Sequence, residues 1–88
     1  MADKLRKNPD LFITVKSRKD TLFTGNAYSI TSLNELGFFD ILPFHTNFVT
    51  LIKDFVVIDK GLPTEKNIKM DKGILTVISN TIKVYVGV

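Results

Sequence analysis

At 88 residues the chain is one domain at most, and a domain of that size hides only about two thirds of the surface its unfolded form exposes. A composition of 44% hydrophobic and 24% charged residues, with five Gly and three Pro, excludes the disordered, collagenous and low-complexity classes. The net charge of +3 permits weak attraction to nucleic acid, anionic lipid or an acidic protein, while the absence of Cys removes disulfides, thiolate metal sites and cysteine nucleophiles together and suits a reducing compartment.

The first ten residues, MADKLRKNPD, are basic but have no apolar stretch behind them, so they are expected to be a solvated, disorder-prone leader to a single domain over 11–88 and not a secretory signal. Much of the positive excess lies here, in Lys4, Arg6 and Lys7, and in one turn at Lys16, Arg18 and Lys19. Such clusters are more often solvated than phosphate-binding. The apolar runs, such as FVVI and VYV, are far shorter than the roughly 20 residues of a membrane-spanning helix.

From Leu11 onward, short runs rich in Val, Ile, Phe and Thr alternate with turn formers, which is the texture of strands. LFITVK places Leu11, Ile13 and Val15 on one face and Phe12, Thr14 and Lys16 on the other. SRKD turns the chain into TLFTGNA, where Gly25 is expected at a bulge or bend, and YSITSL follows. After GFFDILPFH, read as a loop-rich bend, come NFVTLIKD, FVVID, the turn KGLPT, EKNIKM, a hairpin turn at Asp71, Lys72 and Gly73 that closes on a Gly of positive φ, then ILTVIS, a turn at Ser79–Thr81, and TIKVYVGV. The last three of these strands are expected to form a meander. No segment carries a helical period over three turns. The chain therefore reads as all-β, with eight to ten short, mainly antiparallel strands. That is too many for one flat sheet with a single core face, so a two-layer β-sandwich or flattened barrel is predicted.

Catalytic chemistry is poorly supported. The single His has no Cys partner and no glycine-flanked Ser, the five Gly at 25, 37, 61, 73 and 87 are too dispersed for a phosphate-cradling loop, and the carboxylates show no metal-ligand spacing. No cofactor and no enzymatic activity are expected. His45 follows Pro43 and Phe44, where it either caps a loop by hydrogen bonding or makes a polar contact within a partner-facing loop; both readings stay open. Phe38, Phe39 and Phe44 lie within seven residues, more aromatic volume than one thin core needs locally. At least one is expected inside and one or two at the surface, where they would mark an interaction site.

Several of these segments, taken in order, resemble a known family. Phe23-Thr24-Gly25-Asn26-Ala27, then Gly37 through His45, and then Gly73-Ile74-Leu75-Thr76-Val77 are similar in order and spacing to the N-terminal β-sandwich domain of the epsilon subunit of the F-type ATP synthase, called delta in mitochondria. The likeness runs from about Leu11 to Val86, with Leu42, Pro43 and His45 in register with both flanking segments. It has departures: Phe44 stands where the family has a Gly between Pro and His, Asn47 replaces a Pro, Phe38 replaces an acidic residue for which Glu35 is the nearest substitute, and Asp54-Phe55 replaces a Pro-Gly turn. The chain also stops at Val88, where the family normally continues into two C-terminal helices that carry its ATP binding and inhibition, so neither property is assigned.

The resemblance implies a non-catalytic rotor subunit of the central stalk that links the gamma subunit to the membrane ring and couples proton flow to ATP synthesis. It implies ring contact through Glu35, Gly37, Phe38 and Asp40, and gamma contact through Ser17, Pro43, Phe44 and His45. It further implies peripheral attachment at the cytoplasmic face of an energy-transducing membrane, or at the matrix or stromal face in an organelle, with no nucleic acid partner. The rival expectation is a free-standing sandwich that binds a protein, or a nucleic acid through Lys16, Arg18 and Lys19 with aromatic stacking.

Overall fold

The computed structural model describes residues 9–87, so most of the expected leader lies outside the described residues. Seven strands follow one another in the chain: β1 (Leu11–Lys16), β2 (Thr21–Ala27), β3 (Ile30–Asn34), β4 (Gly37–Ile41), β5 (Phe48–Ile58), β6 (Lys66–Ile78) and β7 (Thr81–Val86). They hydrogen-bond in the order β2-β1-β7-β6-β5-β3-β4, with only the β1–β7 pair parallel. No helix occurs among the described residues. The all-β expectation holds.

The two long strands make the single sheet into two layers. β7 pairs only with the C-terminal half of β6, from Gly73 to Ile78, whereas β3 pairs only with the C-terminal end of β5, from Val56 to Ile58. Because β5 and β6 run antiparallel to each other throughout, one layer is β2-β1-β7 with the C-terminal half of β6 and the N-terminal half of β5, and the other is β4-β3 with the remaining halves. Strands that pass from one layer to the other at a bend close the corner of a sandwich. The core fills the space between, with Leu11, Ile13, Val15, Ala27, Ile30, Ile41, Ile52, Val56, Ile58, Leu75, Val77, Ile82 and Val84 all buried and drawn from every strand.

Seven strands are present where eight to ten were expected, because two pairs of predicted strands are each continuous while Gly37–Ile41, read as part of a bend, adds one. NFVTLIKD and FVVID form one strand that bends at Asp54, whose φ is 73°. EKNIKM and ILTVIS also form one strand, and Asp71-Lys72-Gly73 is no hairpin turn. The register changes between Lys53–Lys72 and Phe55–Lys69, so Met70 and Asp71 together oppose Asp54. That is a β-bulge, and it re-phases the apolar pattern of β6 from Ile68 and Met70 before it to Gly73, Leu75 and Val77 after it. The terminal meander is therefore β5-β6-β7. The turn expected at Ser79–Thr81 is present, with Ile78 paired to Thr81 and Ser79 at φ 55°. Gly25 pairs with Ile13 in an unbroken stretch, and the irregularity of the β1–β2 ladder lies instead at Val15/Lys16.

Gly73 is required by closeness of approach. A Cβ built there would lie 2.7 Å from the Tyr85 backbone oxygen and 3.2 Å from Met70 Sδ, because β7 and the bulge crowd the same point. Across the opposite end of the molecule, Asp59 is buried and joins two connections. One carboxylate oxygen accepts from the Tyr28 and Ser29 amides at 2.7 and 3.3 Å, and the other accepts from the Thr64 hydroxyl at 2.7 Å. In the same β5–β6 loop the Gly61 amide donates to Glu65 Oε1 at 2.7 Å and Asn67 donates to Oε2 at 2.9 Å. These donors, the Gly61 amide first, hold the Glu65 carboxyl below its ordinary value.

Two outcomes follow from these contacts. Gly73→Ala forces apart backbone atoms that cannot swing aside, and is expected to lower stability by about 1–3 kcal/mol in urea denaturation, against the small gain an exposed strand glycine would show. Since Glu65 is more acidic folded than unfolded, its contribution is complete above the ordinary carboxylate pKa and is lost as pH falls through the lowered one. Hydrogen exchange of the Gly61 amide should accelerate, relative to strand amides, on acidification through that window in the native chain and show no such step in Glu65→Gln.

Candidate protein interface

The stretch from Gly37 to His45 divides between a strand and a loop, which corrects its reading as one bend. Gly37–Ile41 is β4, paired antiparallel to β3 as an edge of the sheet. Strand alternation then settles the aromatics: Phe39 points inward and meets Phe48 edge to face at 5.9 Å, while Phe38 points outward, 74% exposed, and stacks on Phe55 at 5.9 Å. Asp40 also faces outward and accepts a hydrogen bond from the Thr31 hydroxyl directly across the ladder. Glu35 and Leu36 form the two-residue turn, closed by the Leu36 amide donating to Asn34 Oδ1 at 2.9 Å. Gly37 completes it at φ 120°, a conformation that side chains resist. Glu35, Gly37, Phe38 and Asp40 thus all lie on one hairpin, and Asn34 anchors it to β5 through Thr50 at 3.1 Å.

Residues 42–47 form the loop between β4 and β5. Phe44 is 81% exposed and stands at φ 67°, uncommon for an aromatic residue; its amide donates to Asn80 Oδ1 at 2.7 Å in the β6–β7 turn. Reciprocally, the Ser79 amide donates to Asn47 Oδ1 at 2.8 Å. These two bonds hold the loop against the turn. His45 is half-buried, with Nδ1 2.8 Å from the Thr46 carbonyl and its ring 5.5 Å from that of Phe48, which is the loop-capping geometry. Pro43, Phe44 and His45 are therefore together, but Ser17 is not with them. It lies in the β1–β2 turn, where its hydroxyl accepts from the Asp20 amide at 3.1 Å, at the end of β7 remote from Asn80. Six residues of β7 separate the two, about 15–20 Å at the rise of a strand.

A further apolar surface went unread in the sequence. On the outside of the first layer, register brings Leu51, Ile74, Tyr85 and Lys16 into one row across four strands, and Val49, Thr76, Lys83, Thr14 and Thr24 into the next. Ile78, Thr81 and Phe12 form a third row. Val49, Leu51 and Ile78 are each more than 60% exposed, far outside what a covered face would show. The signal was present: NFVTLIKD and ILTVIS are apolar at both phases of the two-residue period, which requires two covered faces, and only one is covered.

Among the described residues there is no group of three side chains able to hold a metal ion, and no helix long and apolar enough to cross a membrane. One surface depression of about 370 Å³ is lined by Thr76, Ile78, Ser79, Thr81 and Lys83 on the outer face just described.

No protein-family model and no curated protein sequence matches the chain. Its fold is shared with chains in solved structures of mitochondrial ATP synthases. A chain in the cryo-EM structure of the Euglena gracilis mitochondrial ATP synthase, OSCP/F1/c-ring in rotational state 1, superposes with a TM-score of 0.79 at 11% identity, covering 90% of this chain and 51% of that one. A chain in the central stalk and c-ring of the Tetrahymena thermophila mitochondrial ATP synthase superposes with a TM-score of 0.73 at 13% identity, covering 91% of this chain and 65% of that one. The chain thus spans about half to two thirds of the length of these neighbours.

Inner and outer apolar residues should respond differently to truncation. Ile82→Ala opens a cavity between the layers and is expected to cost about 2–5 kcal/mol. Leu51→Ala, on the outer face, should change stability by no more than about 0.5 kcal/mol. Chemical denaturation of the two variants side by side measures both.

Proposed function

We propose that the chain is a non-catalytic subunit of the central stalk of a rotary ATP synthase, linking a gamma subunit to the membrane ring. The observation that carries this reading is a sandwich fold like those of the central-stalk neighbours that also presents, on its β3–β4 hairpin and β4–β5 loop, two exposed aromatic anchors where the family resemblance places the subunit contacts. Aromatic residues projecting from a rigid scaffold are the side chains that dominate interface energetics.

In this reading the hairpin residues Glu35, Gly37, Phe38 and Asp40 meet the polar loops of the ring, and Pro43, Phe44 and His45 meet gamma. A gamma surface that also reached Ser17 would have to span the length of β7. The body transmits torque as a wedge. Its stiffness comes from β5 and β6, which continue through both layers and prevent one from sliding over the other. Attachment is peripheral, at the cytoplasmic face of the energy-transducing membrane or its organellar equivalent. In this role the subunit couples proton flow to ATP synthesis mechanically.

Phe38→Asp tests this directly. The ring projects into solvent, so the variant should retain the far-ultraviolet circular dichroism and denaturation midpoint of the parent, while copurification with gamma and ring subunits falls by about tenfold or more. Unchanged copurification would count against the assignment.

A further inference from the structure

Phe44 occupies a backbone conformation that its own side chain disfavours. Pro43 and Phe44 are the two central residues of a turn in the β4–β5 loop, and a positive φ at the second of them calls for Gly or Asn. A bulky residue at φ 67° raises the energy of the folded state, and strain of this kind persists only where the surroundings fix it. The ring does nothing within the chain to offset it. Phe44 is 81% exposed, takes no part in the packing against the core, and among the described residues meets no other aromatic ring.

Two asparagines hold the strained backbone in place. Asn80 is half-buried in the β6–β7 turn, where its backbone carbonyl accepts from the Phe12 amide at 2.8 Å and so ties it to β1. Its Oδ1 accepts from the Phe44 amide at 2.7 Å. In return, Asn47 Oδ1 accepts from the amide of Ser79 at 2.8 Å, and Ser79 is itself left-handed at φ 55°. Each of the two segments thus carries one left-handed residue and supplies the asparagine oxygen that binds the left-handed amide of the other. On the inner side, His45 lies against Phe48, which leaves the Phe44 ring directed to solvent. A side chain on a loop already fixed in one conformation avoids the ordering cost that a mobile loop meets on binding.

We propose that Asn47 and Asn80 are positioning residues that hold Phe44 left-handed as a preformed anchor for an apolar pocket on the partner, so that affinity is gained at the expense of stability. This rests on the reading of the loop as the gamma contact, and adds that the two asparagines govern that contact through Phe44.

Binding of whole-chain variants to purified gamma subunit, with thermal denaturation of each variant, is the test. Phe44→Gly removes the strain and the ring together: affinity should fall about tenfold or more, while the midpoint stays level or rises, by up to about 4–8 °C. Asn80→Ala should weaken binding about tenfold with the ring still present, and Asn80→Asp, which keeps an accepting oxygen, should restore most of it. Hydrogen exchange of the Phe44 amide should quicken in Asn80→Ala and not in Asn80→Asp. Parental affinity in Asn80→Ala beside impaired Phe44→Gly would overturn the positioning role and leave the gamma contact standing. A lowered midpoint in Phe44→Gly would overturn it too, since the ring would then be a structural group. Parental affinity in Phe44→Gly, or no binding of the parent chain to gamma, would remove the gamma contact itself and this inference with it.

Discussion

The antiparallel pairing of β5 with β6 is the constraint on which the rest of the molecule depends. These strands, of 11 and 13 residues, are the only elements with a share in both layers, and every other strand joins the sheet through one of them or through a strand that does. Passing from layer to layer requires a bend in both strands at the same level. The bend is made by the extra residue of β6 opposite Asp54 and by the left-handed backbone of Asp54 itself. Once that corner is made, β7 and β1 extend one layer, and β3 and β4 extend the other. Ser32 reinforces it from within, since its buried hydroxyl donates to the Phe55 carbonyl at 2.7 Å, immediately beside the change of register.

A sandwich of this size has one thin interior, and the chain has more apolar residues than that interior can hold. Leu22 and Leu62 apart, the surplus is not scattered. It collects on the β3–β4 hairpin, on the loop beside the β6–β7 turn, and on the outer rows of the first layer. Contact surfaces on several sides of a stiff body suit a part held within an assembly better than a module with one ligand. Side chains from the two inner faces meet and fill the interior, so the remaining apolar residues lie on the outside.

Much of this was legible in the residues. Strict alternation in LFITVK and TIKVYV determined strands with one buried face, and the density of Phe around Asp40 determined that some aromatic surface must be exposed. The two-residue period is a local property of an extended backbone, so it survives translation from sequence to structure. Which aromatic rings were outside also obeys that period, once Gly37–Ile41 is known to be a strand and not a bend.

Other features had no local expression. Consecutive polar residues such as Asp71 and Lys72 break an alternating pattern in the same way at a hairpin turn and at a bulge, and only the continuous partner strand β5 decides that the chain goes straight on. Ser17 and Phe44 could be grouped by analogy, yet the parallel β1–β7 pair carries them to opposite ends of one ladder. The residues by themselves determined an all-β domain with surplus apolar surface. Tertiary structure alone decided the number of strands, the corner and the charge-lined outer face, because each depends on register between segments far apart in the chain.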